Sequence, residues 1–180
     1  MRGVSTITGK SAMIGYILKN IDKDSNILDV GFGNGLIGKI LKQYGYNYVD
    51  GVDIYDGELT QCITNNYHEI FIKNILNFNF KFYDLIILGD ILEHLTLTSA
   101  KKLLKKYIQE NKCNHILISI PYVDIPRPAH CTPENKYEAH LQEHINREYM
   151  RKHYPYLNLL FEGVMEDYGG VISIWVWNQI

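Results

Sequence analysis

The stretch from Asn26 to Gly38, NILDVGFGNGLIG, constrains this chain more than any other. It opens as an apolar run, Ile27-Leu28-Asp29-Val30, and breaks into glycines at 31, 33, 35 and 38. It resumes as Leu36-Ile37-Gly38-Lys39-Ile40-Leu41, apolar at helical spacing. That order predicts a buried strand, a tight turn and a helix N-terminus. Glycine belongs in such a turn because a Cβ would forbid the backbone angles it needs. The bare backbone also admits a ligand, and the first N–H groups of the helix point at whatever lies there. Gly33-x-Gly35-x-x-Gly38 has the spacing at which a dinucleotide pyrophosphate meets a helix N-terminus. A turn with no ligand is the plain alternative.

The chain has 180 residues, which suits one domain, 1–180, with one core. A net charge of −2 leaves no basic surplus, so generic polyanion binding is not expected. No apolar run approaches the roughly 18 residues of a membrane span. Met1-Arg2-Gly3-Val4-Ser5-Thr6 lacks the apolar core of a secretory leader. Cys62, Cys113 and Cys131 are scattered, as expected of reduced thiols in a cytoplasmic protein.

Gly9-Lys10-Ser11 looks like the end of a phosphate-binding loop, but its spacing from Gly3 is wrong and no buried strand precedes it. The spacing instead predicts a helix over 11–21, with Met13, Ile14, Ile17, Leu18 and Ile21 on one face. The helix after the glycine turn should run to Tyr44 and be closed by Gly45. A second strand is expected over 46–54. It carries Asp53 about twenty residues beyond the glycines, where a carboxylate accepts from ribose hydroxyls. A short helix is expected in 56–66 and a third strand over 68–72, followed by Asn74 and Ile75. Lys81 to Asp90 reads as a strand of the parallel, doubly buried kind, ending in Ile91-Leu92-Glu93-His94-Leu95.

An amphipathic helix follows over 98–109, its lysines on a solvated face. The fifth strand is expected over 115–121. Pro121, Pro126, Pro128 and Pro133 keep 121–144 irregular, as befits a lid or substrate loop. Asn146 should cap a helix. Strand six is expected over 156–162. A turn at Gly169-Gly170 then leads to a final antiparallel strand over 171–177, with Trp175 and Trp177 on one face.

Two of these stretches carry a family likeness. Leu28-Asp29-Val30-Gly31-Phe32-Gly33-Asn34-Gly35 resembles motif I of class I S-adenosylmethionine (SAM)-dependent methyltransferases, a strand ending in acid-x-Gly-x-Gly-x-Gly. Phe82 to Leu95, FYDLIILGDILEHL, closely resembles motif IV of the same superfamily. Residues 135–150 are similar to the segment after its fifth strand, with Ile145 where Trp or Phe is common. The Asn/Asp-Pro-Pro-Tyr variant is absent, which counts against a DNA adenine or glutamine substrate. The resemblance implies an α/β three-layer sandwich, a Rossmann-like methyltransferase fold. Its seven-stranded sheet would be mostly parallel with an antiparallel last strand. SAM would lie across the carboxyl ends of strands one, two and four, leaving as S-adenosylhomocysteine. Its contacts would come from Asp29, Gly31, Phe32, Gly33, Asn34, Gly35, Asp53, Ile54, Asn74, Ile75, Gly89 and Asp90, with Asn74 at the adenine amino group. Asp29 weighs in the same direction. A carboxylate beside the turn suits a sulfonium cation and would repel a pyrophosphate.

In that family the cofactor brings the reactive methyl and the protein brings position and electrostatics. A small-molecule or sugar-type hydroxyl is the expected acceptor, and it needs a base near neutral pKa. The candidates are His94 and His140, aided by Glu93, with Asp90 and His144 as neighbours. Asp90, Glu93 and His94 with His140 or His144 also form a ligand set for a divalent ion. Methyltransferases of small-RNA 3′ ends use a related Glu-x-x-Glu-His set with a later His. Here the first acid is Asp90 and no basic RNA surface is evident, so no metal is assigned. The expected partner is a small-molecule acceptor, without membrane or nucleic acid, and a homodimer is left open. An NAD-type dinucleotide-binding enzyme and a non-catalytic SAM-binding subunit remain as alternatives.

Overall fold

The structure is a computed structural model that describes residues 7–55, 57, 59–122, 136–165 and 170–179. Strands β1 (Ile27–Val30), β2 (Val49–Asp53), β3 (Ile70–Ile72), β4 (Tyr83–Gly89), β5 (Cys113–Pro121), β6 (Asn158–Val164) and β7 (Val171–Asn178) form one sheet. Their order is β3-β2-β1-β4-β5-β7-β6. The first five strands are parallel, and β7 runs antiparallel to both β5 and β6. The helices are α1 (Lys10–Asn20), α2 (Leu36–Gln43), α3 (Gln61–Thr64), α4 (Leu97–Gln109) and α5 (Arg147–His153). This is the expected three-layer, Rossmann-like arrangement.

Alternation along the central strands builds two cores, one on each face. Leu85 and Ile87 of β4 meet Met13, Ile14 and Ile17 of α1 and Ile37 and Leu41 of α2. Ile86 and Leu88 meet Leu103, Leu104 and Tyr107 of α4 and Met150 of α5. Cover on both faces is why β4 and β5 are apolar almost throughout. Trp175 and Trp177 share the α4 side, as their spacing predicts. The sheet steps from β1 outward to β2 and β3, then returns to place β4 on the other side of β1. The carboxyl ends of β1 and β4 therefore flank the crevice where open sheets of this kind bind ligands.

Several boundaries differ from those expected. Helix α1 begins at Lys10, and Leu18 is 40% exposed. The buried stripe is centred on Ile17 and Ile21, and a step of about 100° per residue sets Leu18 on its flank. Strand β2 starts at Val49 because Tyr46 closes α2. The Tyr46 N–H donates to Leu41 O at 3.1 Å and the Gly45 N–H to Lys42 O at 3.0 Å, with Gly45 at φ 88°. That is a Schellman ending, so Gly45 serves as expected. The helix expected over 56–66 shortens to the four residues of α3. Strand β3 loses its first two residues, and β6 shifts two residues later at each end. Of the loop over 121–144, residues 123–135 lie outside the described residues, as does Gly169 of the expected glycine turn. Among the described residues no helix is long and apolar enough to cross a membrane.

Candidate active site

The glycine turn joins β1 to α2 as expected. Gly31, Gly33 and Gly35 have φ of 71°, 51° and 76°. A Cβ on Gly31 would stand 2.0 Å from Ile91 Cδ1, so the turn runs hard against the segment after β4. Asn34 Oδ1 accepts from the Leu36 N–H at 3.2 Å and shapes the start of α2. Phe32 is buried and its ring packs on Tyr67 at 5.3 Å.

Asp53 closes β2 over the turn. Its Oδ2 accepts from the Gly33 N–H and its Oδ1 from the Tyr55 N–H, both at 3.0 Å. A carboxylate offers about four acceptor sites, so capacity remains for the hydroxyls of a ribose. Ile54 follows, half-buried. Asn74 opens a 3₁₀ turn over the buried Ile75, its Oδ1 accepting from the Leu76 N–H at 2.9 Å.

Asp29 lies beneath the turn. It is 2% exposed, and Tyr67 Oη donates to its Oδ2 at 2.7 Å. Burial pushes its pKa up to about 6, against the opposing pull of the Tyr67 bond and the Lys10 charge. The Tyr67 ring also fills the space over Gly38, where a Cβ would meet Cζ at 2.3 Å. Tyr67 is therefore the reason for the last glycine of the motif. Nothing in the sequence around it marks that role.

On the other side of the crevice β4 ends at Gly89, and Asp90 turns with φ 56°. Its N–H donates to Ser119 O at 3.0 Å, Ser119 Oγ donates to Oδ1, and Lys10 Nζ stands 3.5 Å from Oδ2. Glu93 is 1% exposed, and its Oε2 has no hydrogen-bond partner among the described residues. Burial, reinforced by the Asp90 charge, holds its carboxyl well above the usual range. His94 Nδ1 lies 3.2 Å from Ala139 O, and Nε2 lies 4.0 Å from Glu93 Oε1. A carbonyl can only accept, so in the neutral ring Nδ1 carries the hydrogen and Nε2 keeps its lone pair.

His140 reaches the same place from far along the chain. Its ring centroid is 4.9 Å from that of His94. The segment is stitched down by the Leu141 N–H on Glu93 O at 2.7 Å. Buried Gln142 adds Nε2 donating to Leu92 O and Leu95 O, and Oε1 accepting from Tyr149 Oη at 2.8 Å. Ligand atoms of Glu93, His94 and His140 all lie within 4.8 Å of one another. The three expected catalytic residues are therefore brought together, and their donor set would suit a divalent ion. Asp90 is not in this group, because Ser119 and Lys10 hold it. His144 is not in it either. It has φ 54° in an irregular stretch, so it shares no helical face with His140.

Residues 28–110 match the family model described as a methyltransferase domain. No curated protein sequence matches the chain. Among solved structures, magnesium protoporphyrin IX methyltransferase of Synechocystis PCC 6803 with bound SAM superposes with a TM-score of 0.64 at 17% identity, over 95% of this chain and 79% of that one. The small RNA methyltransferase HEN1 gives 0.67 at 18% identity, over 99% of this chain and 27% of that one. The methyltransferase domain of bacterial CtHen1-CN gives 0.63 at 15% identity, over 96% of this chain and all, 100%, of that one. The family match covers both the glycine turn and the Glu93–His94 turn, so residues 28–110 carry a methyltransferase domain, on a seven-stranded fold shared with methyltransferases solved with bound SAM.

Proposed function

We propose that the chain methylates a hydroxyl oxygen of a small-molecule or sugar-type acceptor held over Glu93, His94 and His140. The observation that carries this reading is the convergence of those three side chains at the end of β4. The donors around the crevice suit the cofactor. Asp53 keeps acceptor sites for ribose hydroxyls, Asn74 one for the adenine amino group, and the acidic lining tolerates a cation. When bound, SAM supplies an electrophilic methyl on a sulfonium sulfur. His94 Nε2 would take the proton of the acceptor hydroxyl. Ala139 O holds the His94 ring for that transfer, with Glu93 Oε1 4.0 Å from Nε2. The test is S-adenosylhomocysteine release across a panel of sugars and small hydroxyl compounds. Wild-type protein should turn over at least one of them. His94→Gln should bind SAM normally and release little product. Equal turnover by His94→Gln sinks the assignment.

A second reading has its own support. Among the described residues Glu93 Oε2 is buried without a hydrogen-bond partner beside two imidazoles, which is what a divalent cation would satisfy. In that case Glu93, His94 and His140 would hold the ion, which would supply Lewis-acid activation of the acceptor hydroxyl. The small RNA methyltransferase among the structural neighbours then makes a nucleic-acid ribose one sugar-type acceptor to include in the panel. Activity that vanishes in chelator and returns with manganese favours the cation. Activity indifferent to chelator favours the histidine base.

A further inference from the structure

The outer face of α4 carries charge of one sign. A step of about 100° per residue puts Lys101, Lys102, Lys105 and Lys106 in an arc of about 140°. Thr98 and Gln109, which share that arc, are uncharged. Helix α5 packs on the same side of the sheet and adds Arg151 and Lys152. These six are a third of the eighteen Lys and Arg of the chain, and the two helices hold one acid, Glu148. Among the described residues none of the six stands within ion-pair distance of a carboxylate, whereas Arg147 is committed to Glu162. A net charge of −2 averages over this segregation.

The crowding of cations extends across the seam between the helices. Lys101 Nζ lies 3.1 Å from His153 Nδ1. An ammonium has no acceptor, so Nδ1 takes the bond through its lone pair and the ring is neutral. The His153 pKa is lowered, first by burial and then by the charges of Lys101 and Lys152. The surface also begins beside the acceptor wall. Lys101 is one turn, about 6 Å, beyond Leu97, which opens α4 just after the Glu93–His94 turn. Gln142 ties Leu92 and Leu95 to Tyr149 of α5, whose ring lies 4.4 Å from that of His153.

Unpaired ammonium and guanidinium donors in a row suit a polyanion, and the lack of apolar side chains among them says which. A helix that lies on a membrane presents Trp, Phe or Leu to the acyl chains. None of the large exposed hydrophobics among the described residues is on α4 or α5. We infer that the α4–α5 face binds the phosphate backbone of a nucleic acid strand and leads it past the acceptor wall. This deepens the sugar-type reading of the acceptor and rests on it only for what the strand is used for.

Fluorescence anisotropy with a labelled single-stranded RNA oligonucleotide of mixed sequence, without SAM, tests the face. Four phosphate contacts give a slope of log affinity against log salt of about −3, a loss of about fiftyfold from about 50 to 200 mM. Lys102→Gln/Lys105→Gln removes two exposed lysines and should flatten the slope by about 1.4. Lys19→Gln/Lys39→Gln makes the same change in net charge from exposed positions of α1 and α2, on the opposite face of the sheet, and should leave the slope unchanged. No binding by the wild type, or slopes that the two double variants change alike, overturns the assignment. So does tighter capture by phosphatidylserine vesicles than by the oligonucleotide, which makes the face a membrane surface. RNA binding without S-adenosylhomocysteine release still supports the face, and the failure then belongs to the acceptor reading.

Discussion

Each wall of the crevice holds one buried carboxylate, and the two are treated differently. Asp29 and Glu93 are 2% and 1% exposed, and burial raises the pKa of both. Asp29 has a hydroxyl donor, Tyr67, at 2.7 Å. Glu93 keeps an oxygen with no hydrogen-bond partner among the described residues. Buried polar groups in folded proteins are normally paired, because an unpaired one costs about 1–3 kcal/mol. The buried carboxyl of the cofactor wall is paired as folded, and it stiffens the turn from below. The acceptor wall carries an open valence where the chemistry is proposed. An acid that is finished supports structure, and an acid left unfinished marks where a proton, cation or substrate is received.

The largest effects should come from the unfinished wall. Glu93→Gln and His94→Gln should lower single-turnover methyl transfer by about 10²- to 10⁴-fold, the usual weight of a positioned proton-transfer group. SAM affinity by calorimetry should change by less than about threefold, because neither residue lies on the cofactor wall. If SAM affinity falls as far as turnover, the two walls are not separable and the comparison fails.

Gly31 lies on the seam between the walls, so its replacement should damage both. Gly31→Ala combines a left-handed φ of 71° with a Cβ 2.0 Å from Ile91. The strain and the clash together should cost about 3 kcal/mol. Urea denaturation should show that loss, and both SAM binding and turnover should fall with it. A variant of normal stability would mean that Ile91 moves aside freely and that the walls are not in firm contact.

How much of this could be read from the chain follows from the same division. The glycine turn and the Glu93–His94 turn lie within continuous stretches, where strand, breaker and helix signals stand side by side. The partners that complete them do not. Tyr67 reaches Asp29 across 38 residues, Gln142 reaches Leu92 across 50, and Lys10 reaches Asp90 across 80. No local pattern marks a side chain whose role is fixed by tertiary packing. Asp29 lies under the turn, on a strand whose every residue is buried. His140 and His144 stand four residues apart, yet they share no face because the backbone between them is irregular. Tyr46 fits a strand pattern, yet it closes α2 instead.

The pairing of Asp29 can be tested through pH. Its folded pKa of about 6 is raised above the ordinary 3.8. A raised acid contributes stability that is full below pH about 4 and is lost as pH climbs through about 6. Asp29→Asn keeps an acceptor for Tyr67 and removes the proton, so its stability from pH 4 to 7 should fall less than that of the wild type. Tyr67→Phe removes the donor and should cost about 1–3 kcal/mol at pH 7, with a smaller loss at pH 4, where Asp29 is neutral. Chemical denaturation at several pH values separates these slopes. Parallel curves for all three proteins would mean that the Asp29 charge is not held by Tyr67.

The smallest effect calibrates the others. Gly45 lies at the far end of α2, with φ 88° and nothing within 4 Å of a built Cβ. Gly45→Ala therefore carries the left-handed backbone penalty without a clash, about 1 kcal/mol. Both hydrogen bonds of the Schellman ending are backbone bonds, so the substitution removes neither. Stability should drop by that amount, with SAM affinity and turnover unchanged. If so modest a loss at a distant cap also lowered turnover, the activity changes at Glu93 and His94 would reflect general loosening of the fold. An unchanged turnover leaves them as properties of the acceptor wall.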